Sequence, residues 1–193
     1  MSSSPDLSPR ERLLGDLVEH LAAHGLADTS LRGLAAAVGS SHRMLSYHFG
    51  SRDGVLVAIS RHVEQQQRDA LAALQAEPNA DPVKTMWEFW RRLADPALWP
   101  HERLFYELYA RALRGDPGAE PFLDGVVTAW IEPAAKQLMQ LGLTRAQARA
   151  EARLGLAVTR GLLLDLLATG DRRGVDAAMK RFIARYSGES RLA

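Results

Sequence analysis

The chain has 193 residues, with 24 lysines and arginines against 23 aspartates and glutamates, so its formal net charge is +1. This length suits one domain or two small ones, and an apolar content of 47% excludes global disorder. The sequence contains no cysteine, which excludes disulfides and thiol chemistry and suits a reducing compartment.

The amino-terminal segment predicts a first helix that begins near residue 8. Ser8–Glu11 combines a serine cap, a proline at the first helical position and a glutamate three residues after the cap. Gly25 is the residue expected to end the helix. The apolar stripe between these signals consists of Leu13, Leu14, Leu17, Val18 and Leu21.

The following segment, residues 29–52, predicts two short helices joined by a tight turn. The first helix begins at Thr29 or Ser30, because either hydroxyl can cap its opening turn. Gly39 supplies the left-handed residue that ends this helix, and Ser41 can cap the second one. A helix, a short turn and a second helix form the layout of a helix-turn-helix DNA reader.

The charges of this segment suit a polyanionic partner. Arg32, Arg43 and Arg52 lie between residues 30 and 52, where the sequence has no carboxylate. An arginine at the exposed front of the second helix can donate to a guanine edge, and hydroxyls can grip phosphates. An ordinary helical hairpin with a solvated polar face is the alternative interpretation.

The run Gly39–Arg52, GSSHRMLSYHFGSR, resembles the signature of TetR-type transcriptional regulators. That signature has a glycine turn, a short recognition helix, an aromatic-aromatic-His-Phe run and a basic residue. Tyr47–Phe49 and Arg52 match it, whereas Ser46 stands where an aromatic residue is common. The resemblance is specific over Ser8–Ile59 and weakens to a shared helical layout beyond that range.

The resemblance implies an all-α fold of about nine helices, with a three-helix helix-turn-helix head and a larger helical body. We expect a DNA-binding domain at residues 8–55 and an effector-binding and dimerisation domain at residues 56–190. The side chains expected to contact base edges are Ser40, His42, Arg43 and Met44. The side chains expected to contact phosphates are Ser30, Arg32, Ser41, Tyr47, His48 and Arg52.

The remaining helices follow from periodicity and turn signals. A long helix is predicted over Ser51–Ala76, with Gln65–Arg68 in solvent, and a turn cluster with two prolines ends it. Pro133 is expected to kink one of the later helices. The further predicted helices are Val83–Ala94, His101–Arg114, Phe122–Leu141, Thr144–Ala168 and one that starts near Asp171.

Aromatic side chains are dense in the first half of the body. At helical spacing such residues most often form core, but TetR-type bodies hold an effector pocket among these helices, so some of them are expected to be pocket walls. Tyr109 and Arg111 are candidates to anchor a polar group of the ligand. The predicted pocket residues are Trp87, Trp90, Trp99, Phe105, Tyr106, Tyr109, Arg111 and Trp130.

The segment Leu154–Ala168 is apolar on nearly all sides and must therefore be covered on more than one side. We expect a second copy of the chain to cover it, and a central buried helix in a monomer is the alternative. Asp165 within this segment is expected to pair with Arg160 of the second copy or with Arg181. The predicted interface residues are Leu154, Ala157, Val158, Gly161, Leu162, Asp165, Met179 and Phe182.

These features predict a homodimeric, effector-responsive transcriptional regulator, with repression as the favoured mode. The expected partners are double-stranded operator DNA, a small apolar or aromatic effector and a second copy, with no membrane, no cofactor and no catalytic site. His20 and His24 have a metal-compatible spacing but no evident third ligand, so no metal is expected. Without an apolar leader, the chain is expected in the cytoplasm.

Two alternatives stay open. Residues 1–62 carry six arginines and six carboxylates, so the head has no net basic charge. This balance favours a ligand-binding helical dimer with weak or lost DNA binding as the main rival. An all-α enzyme is the second rival, although no nucleophile–base pair, carboxylate pair or phosphate loop stands out.

Overall fold

The computed structural model describes residues 7–25 and 30–187 of the chain. In these ranges the chain forms nine α-helices and two short 3-10 helices, without a strand, which confirms the predicted all-α class. The α-helices are α1 (Pro9–His24), α2 (Leu31–Ala37), α3 (His42–Phe49), α4 (Arg52–Ala76), α5 (Pro82–Leu93), α6 (Trp99–Leu113), α7 (Thr128–Met139), α8 (Arg145–Thr169) and α9 (Arg172–Ala184).

The chain packs as two compact units. The first unit comprises residues 1–64 and 100–123, and the second comprises residues 65–99 and 124–193. Helices α1 to α3, the first half of α4 and nearly all of α6 therefore belong to the first unit. Helices α5 and α7 to α9 belong to the second.

Helix α1 begins and ends at the predicted signals. The Ser8 hydroxyl accepts a hydrogen bond from the Glu11 amide, and the Glu11 side chain accepts one from the Ser8 amide. Hydrogen bonding to the Ser8 side chain, and then to its backbone, holds the pKa of the Glu11 carboxyl below its usual value. Gly25 follows the helix with a φ of 70°, in the left-handed region that favours glycine.

The two short helices also begin at serine caps. The Ser30 hydroxyl accepts from the Gly33 amide at 3.1 Å, and the Ser41 hydroxyl accepts from the Met44 amide at 3.2 Å. Thr29, the alternative cap for α2, lies outside the described residues. The turn between α2 and α3 contains a glycine with a φ of 63°, as expected for a helix-turn-helix.

The prediction that Gln65–Arg68 lies in solvent is wrong for Gln67. Gln67 is 2% exposed, and its side-chain carbonyl accepts a hydrogen bond of 2.8 Å from Arg92 Nε. It stands four residues after Val63 and four before Leu71, and both of these residues are buried. Its helical position therefore places it on the buried face of α4, where its amide needs a polar partner.

The single helix predicted over Phe122–Leu141 is two separate elements. A 3-10 helix covers Glu120–Leu123, and α7 begins only at Thr128. Gly125 has a φ of 75°, so the backbone turns there instead of continuing as a helix. Pro133 lies inside α7, at the sixth of its residues.

The core of the second unit contains a cluster contributed by α7, α8 and the segment after α9. Leu138 is buried in it, and burial of one such side chain contributes roughly 1.5–3 kcal/mol before entropy is counted. Tyr186 joins the cluster while its hydroxyl donates to Glu151 Oε2 at 2.6 Å. Burial, followed by that hydrogen bond, raises the pKa of Tyr186 above its usual value.

Candidate nucleic-acid interface

Helix α3 has one buried side and one exposed side. Leu45 is completely buried and anchors the helix in the first unit. His42, Arg43 and Met44 are exposed in the first turn, and Tyr47 is 80% exposed one turn later. The exposed side therefore presents a cation, a phenol and an imidazole together, which are groups that donate hydrogen bonds to nucleic acid.

The serine caps place hydroxyl groups at the starts of α2 and α3. The oxygens of Ser30 and Ser41 accept backbone hydrogen bonds, which leaves each O–H group able to donate to a phosphate. Arg32 is exposed on α2, whereas Ser40 is half-buried in the turn. These positions accord with the phosphate contacts predicted for Ser30, Arg32 and Ser41, which stay predictions.

Arg52 begins α4 and lies near an acidic neighbour. Its guanidinium is 3.9 Å from the Asp53 carboxylate, and its side chain is 30% exposed. Asp53 is the first carboxylate after α3 in the sequence, and it also forms an ion pair of 2.9 Å with Arg111. That ion pair reduces the repulsion that the Asp53 carboxylate would exert on a nearby phosphate.

The structure places His48 differently from the other predicted phosphate ligands. Its Nε2 is buried and has no hydrogen-bond partner, while its ring stands edge-on to Tyr47 with centroids 4.9 Å apart. His48 directly follows the exposed Tyr47, so the helical turn rotates its side chain toward the interior. The phosphate contact predicted for His48 stays a prediction.

The predicted pocket aromatics of the first unit pack against one another. Phe105 is buried, and its ring centroid lies 5.3 Å from that of Tyr106 and 5.7 Å from that of Tyr109. Phe122, which the sequence analysis did not place with this set, lies 5.2 Å from Phe105. Such edge-to-face and tilted pairs are ordinary core packing.

Arg111, the predicted ligand anchor, binds carboxylates of its own chain. Its guanidinium donates to Asp53 Oδ1 at 3.0 Å, to Asp53 Oδ2 at 2.9 Å and to Asp116 Oδ2 at 2.8 Å. The hydrogen bonds to Asp53 and then Asp116 raise the pKa of Arg111 above its usual value. A guanidinium engaged by two carboxylates forms an internal ion pair, and its role as a ligand anchor stays a prediction.

The predicted tryptophans of the second unit are mostly engaged within that unit. Trp90 is 1% exposed, and its indole N–H donates to Asp176 at 2.7 Å. Trp130 is buried 5.9 Å from the Phe89 ring, between ring centroids. Trp87 and Trp99 are half-buried. Whether any of them lines an effector pocket stays a prediction.

A buried amide network in the second unit was missed from the sequence. Gln137 is buried, and its amide nitrogen donates to the Pro82 carbonyl at 3.0 Å. Gln75 donates to the Gln137 side-chain carbonyl and to the Pro133 carbonyl, each at 3.2 Å. The signal available was a pair of glutamines at positions that helical spacing places on buried faces.

Helix α8 carries an exposed apolar stripe along one side. Leu154 and Leu164 are exposed, the latter by 52%, and Gly161 lies exposed between them. Leu164 was missed, although it follows Gly161 by three residues and so shares its face. The exposed residues at this spacing are Leu154, Ala157, Gly161, Leu164 and Ala168.

The other predicted interface residues are less accessible. Met179 is 3% exposed and belongs to the core of its own chain. A Cβ added at Gly155 would lie 3.8 Å from the Phe182 ring, so Phe182 packs on α8 of the same chain. Val158 and Leu162 are half-buried.

The polar groups expected near this stripe have partners within the chain. Asp165 is exposed and accepts a hydrogen bond of 3.3 Å from the Thr169 hydroxyl. Arg160 donates to the Val126 carbonyl at 2.5 Å. The expected pairing of Asp165 with a second copy is therefore not needed to satisfy the carboxylate.

The structure also bears on whether the chain could bind a metal or cross a membrane. His20 and His24 stack with ring centroids 4.4 Å apart, and His24 Nδ1 lies 3.1 Å from the His20 carbonyl. Within residues 7–25 and 30–187, no group of three or more His, Cys, Asp or Glu side chains is arranged to hold a metal. None of the helices in those ranges combines the length and apolarity that a membrane crossing requires.

The fold and the exposed α3 face define an all-α protein with a helix-turn-helix head. Residues 16–59 match the family model described as "Bacterial regulatory proteins, tetR family". Residues 16–59 therefore carry a TetR-type helix-turn-helix, as the sequence resemblance predicted.

Known proteins are similar to this chain over different lengths. The HTH-type transcriptional regulator BetI of Stenotrophomonas maltophilia (strain R551-3) is 29% identical over 73 residues, 38% of this chain and 37% of that protein. The match to this curated relative thus spans little more than a third of its length.

Solved structures extend the likeness to the whole fold. A transcriptional regulator from Rhodococcus sp. Rha1 has a TM-score of 0.70 at 22% identity, over 93% of this chain and 96% of that chain. The multidrug binding protein EbrR complexed with proflavin has a TM-score of 0.60 at 25% identity, over 93% and 99%.

Proposed function

We propose that the chain is a homodimeric DNA-binding transcriptional regulator, and that it is a repressor released from its operator by a small apolar or aromatic ligand. The observation that carries this proposal is the exposed face of α3, where Arg43 and Tyr47 point outward while Leu45 holds the helix in place. The expected location is the cytoplasm, and no catalytic role is proposed.

DNA recognition would divide between base and phosphate contacts. Ser40, His42, Arg43 and Met44 would contact base edges, with Arg43 suited to a guanine edge. Ser30, Arg32, Ser41, Tyr47 and Arg52 would contact phosphates and set the position of the helix. The functional division proposed for these roles is 8–55 for DNA binding and 56–190 for effector binding and dimerisation.

Dimerisation would use the exposed stripe of α8. A soluble monomer gains little from a row of exposed leucines, and the small residues Ala157 and Gly161 between Leu154 and Leu164 allow close helix approach. A two-fold dimer would present two α3 helices to successive major grooves about 34–36 Å apart on a near-palindromic site.

The effector class is proposed by analogy and composition. EbrR, a structural neighbour, is described with proflavin bound, which is an aromatic molecule. The second unit of this chain contains four tryptophans, among them the half-buried Trp87 and Trp99. An aromatic ligand would bind among such side chains and bias the protein toward a state with lower DNA affinity.

The test is a titration of the protein into DNA from upstream of its own gene. Fluorescence anisotropy measures the binding, at several salt concentrations. Arg43→Ala should cost about 1–3 kcal/mol for the preferred site and relax the preference at one base position. Arg52→Ala should weaken all duplexes alike and reduce the salt slope by about 1.

Arg173→Ala is the matched control, because it removes the same charge from an exposed position on α9. It should leave site preference unchanged. Failure of the parent protein to bind any duplex at low salt would favour the ligand-binding dimer without DNA affinity, which the neutral charge balance of residues 1–62 suggests.

A further inference from the structure

A cleft of about 460 Å³ lies within the first unit, among α1, α3, α4 and the 118–121 segment. We call it the α1–α4 cleft. Its apolar wall includes Leu14, Phe49 and Val57, and its polar side chains are arginines and histidines. The polar side chains that line it are Arg10, His48, Arg61 and His62. The described residues that line this cleft include no aspartate or glutamate.

His48 gives the α1–α4 cleft an unsatisfied polar group. Its Nε2 is buried and has no hydrogen-bond partner, although the residue lines the cleft. A buried imidazole nitrogen without a partner is costly, because it has lost its hydration without a replacement. In the tautomer with its proton on Nε2, the imidazole can donate this missing hydrogen bond to an acceptor atom of a ligand.

Arg10 and Arg61 supply the positive potential of the cleft. The Arg10 guanidinium lies 5.2 Å from the centre of the Phe49 ring, so it is held over an apolar surface. Arg61 donates to the Pro121 carbonyl, which fixes it beside the 118–121 segment. Both side chains are exposed, so an anion can reach them from solvent.

The carboxylate of Asp53 is close to the cleft but is already compensated. A Cβ added at Gly118 would clash with Asp53 Oδ2, so the cleft-lining loop lies directly against this carboxylate. Both oxygens of Asp53 accept hydrogen bonds from Arg111. The Asp53 carboxylate is therefore paired with Arg111, which reduces its effect on the positive charge of the lining.

We propose that the α1–α4 cleft binds a small organic anion, a monocarboxylate that carries an aromatic or branched apolar body. The carboxylate of this ligand lies toward Arg10 and His48, and its apolar body contacts Phe49 and Val57. The volume falls in the range of small-molecule sites, and a purely hydrophilic anion would leave the apolar wall unused. Every residue that lines the cleft belongs to the first unit.

Benzoate is the probe, with benzamide as a neutral molecule of the same shape and acetate as an anion without the apolar body. Each is titrated into the ¹³C,¹⁵N-labelled full chain, and the side-chain resonances of His48 and the backbone amides are followed by NMR. Benzoate should give saturable shifts that include the His48 ring. Benzamide and acetate should each bind about five- to tenfold more weakly.

Arg10→Gln and Arg12→Gln form the matched pair of variants. Both residues are exposed on α1 and both substitutions remove one positive charge, but only Arg10 lines the cleft. Far-UV circular dichroism verifies that each variant folds. Arg10→Gln should weaken benzoate binding about fivefold, whereas Arg12→Gln should change it less than about twofold.

Several results would overturn the proposal. Equal losses in the two variants would mean that benzoate responds only to overall charge. Equal affinity for benzamide would show that the negative charge of the ligand is not needed. Equal affinity for acetate or inorganic phosphate would show that the apolar body is not needed. Shifts that leave the His48 ring unmoved, or the absence of saturable shifts, would place benzoate elsewhere or nowhere on the chain.

Discussion

Arg111 donates to both carboxylate oxygens of Asp53, at 3.0 and 2.9 Å, and this pair joins the last turn of α6 to the first turn of α4. Asp116 accepts a further hydrogen bond from Arg111 at 2.8 Å. The Arg111 hydrogen bond, followed by that from the Gly118 amide, holds the pKa of the Asp116 carboxyl below its usual value. Because α4 directly follows α3, this ion pair helps to fix the position of α3.

Arg111→Met should therefore destabilise the first unit. The substitution keeps an apolar stem but leaves two carboxylates close together without their shared donor, and we expect a loss of about 1–2 kcal/mol. The figure is kept small because the carboxylates have access to solvent. Urea unfolding followed by circular dichroism measures it. Arg114→Met, an exposed neighbour, should leave the unfolding free energy within about 0.5 kcal/mol of the parent value.

His101 predicts how stability depends on pH. It is buried on α6, and burial lowers its pKa from the ordinary 6.5, partly offset by a contact of 3.3 Å with the Val18 carbonyl. As the pH falls, His101 therefore binds a proton at a higher pH in the unfolded chain than in the folded chain. The contribution of neutral His101 to stability is complete above pH 6.5 and is lost as the pH falls from there toward the folded pKa.

The expected slope from His101 is at most about 1.4 kcal/mol per pH unit. Urea unfolding of the parent and of His101→Gln, at several pH values between about 8 and 5, measures it. The glutamine variant should show a shallower loss of stability on acidification. His24→Gln removes an exposed histidine from α1 and should follow the parent curve. A glutamine variant that also follows the parent curve would exclude His101 as the source of the slope.

Local signals in the sequence predicted the helix boundaries of the head well. The Ser8 and Ser41 caps and the turn glycine at position 39 act within one helical turn, so a short window of sequence contains the whole interaction. The error over Phe122–Leu141 has the opposite origin. Apolar periodicity on both sides of Gly125 outweighed a single glycine whose left-handed backbone decides the break.

The roles of charged and polar side chains were harder to predict, because their partners lie far away in sequence. Arg111 was assigned to a ligand, but its carboxylate partner Asp53 precedes it by 58 residues. Gln67 was assigned to solvent, but Arg92 provides its partner from another helix. His48 belongs to the motif that carried the family resemblance, yet the resemblance does not give the direction of its ring.

The exposed stripe of α8 predicts the effect of a charge on dimerisation. Leu164→Glu should convert a dimer to a monomer in sedimentation velocity at micromolar concentration, because it buries a carboxylate against an apolar partner. Leu113→Glu is the matched control, since Leu113 is 69% exposed on α6 and lies outside the stripe. A monomeric parent protein, or equal dissociation by both variants, would contradict the proposed interface.

Tyr47 predicts a contact that depends on a hydroxyl and not on a charge. It is 80% exposed on α3, too far out of the core to be there for packing, so its phenol is available to donate to a phosphate. Tyr47→Phe should weaken binding to all duplexes by about 1 kcal/mol, with an unchanged salt slope, because no counterion-releasing charge is removed. Arg52→Ala, in contrast, should flatten the slope. Anisotropy titrations of both variants at three salt concentrations separate the two effects. A change of base preference in Tyr47→Phe would instead place the phenol in the groove, beside Arg43, and would move Tyr47 from positioning the helix to reading the site.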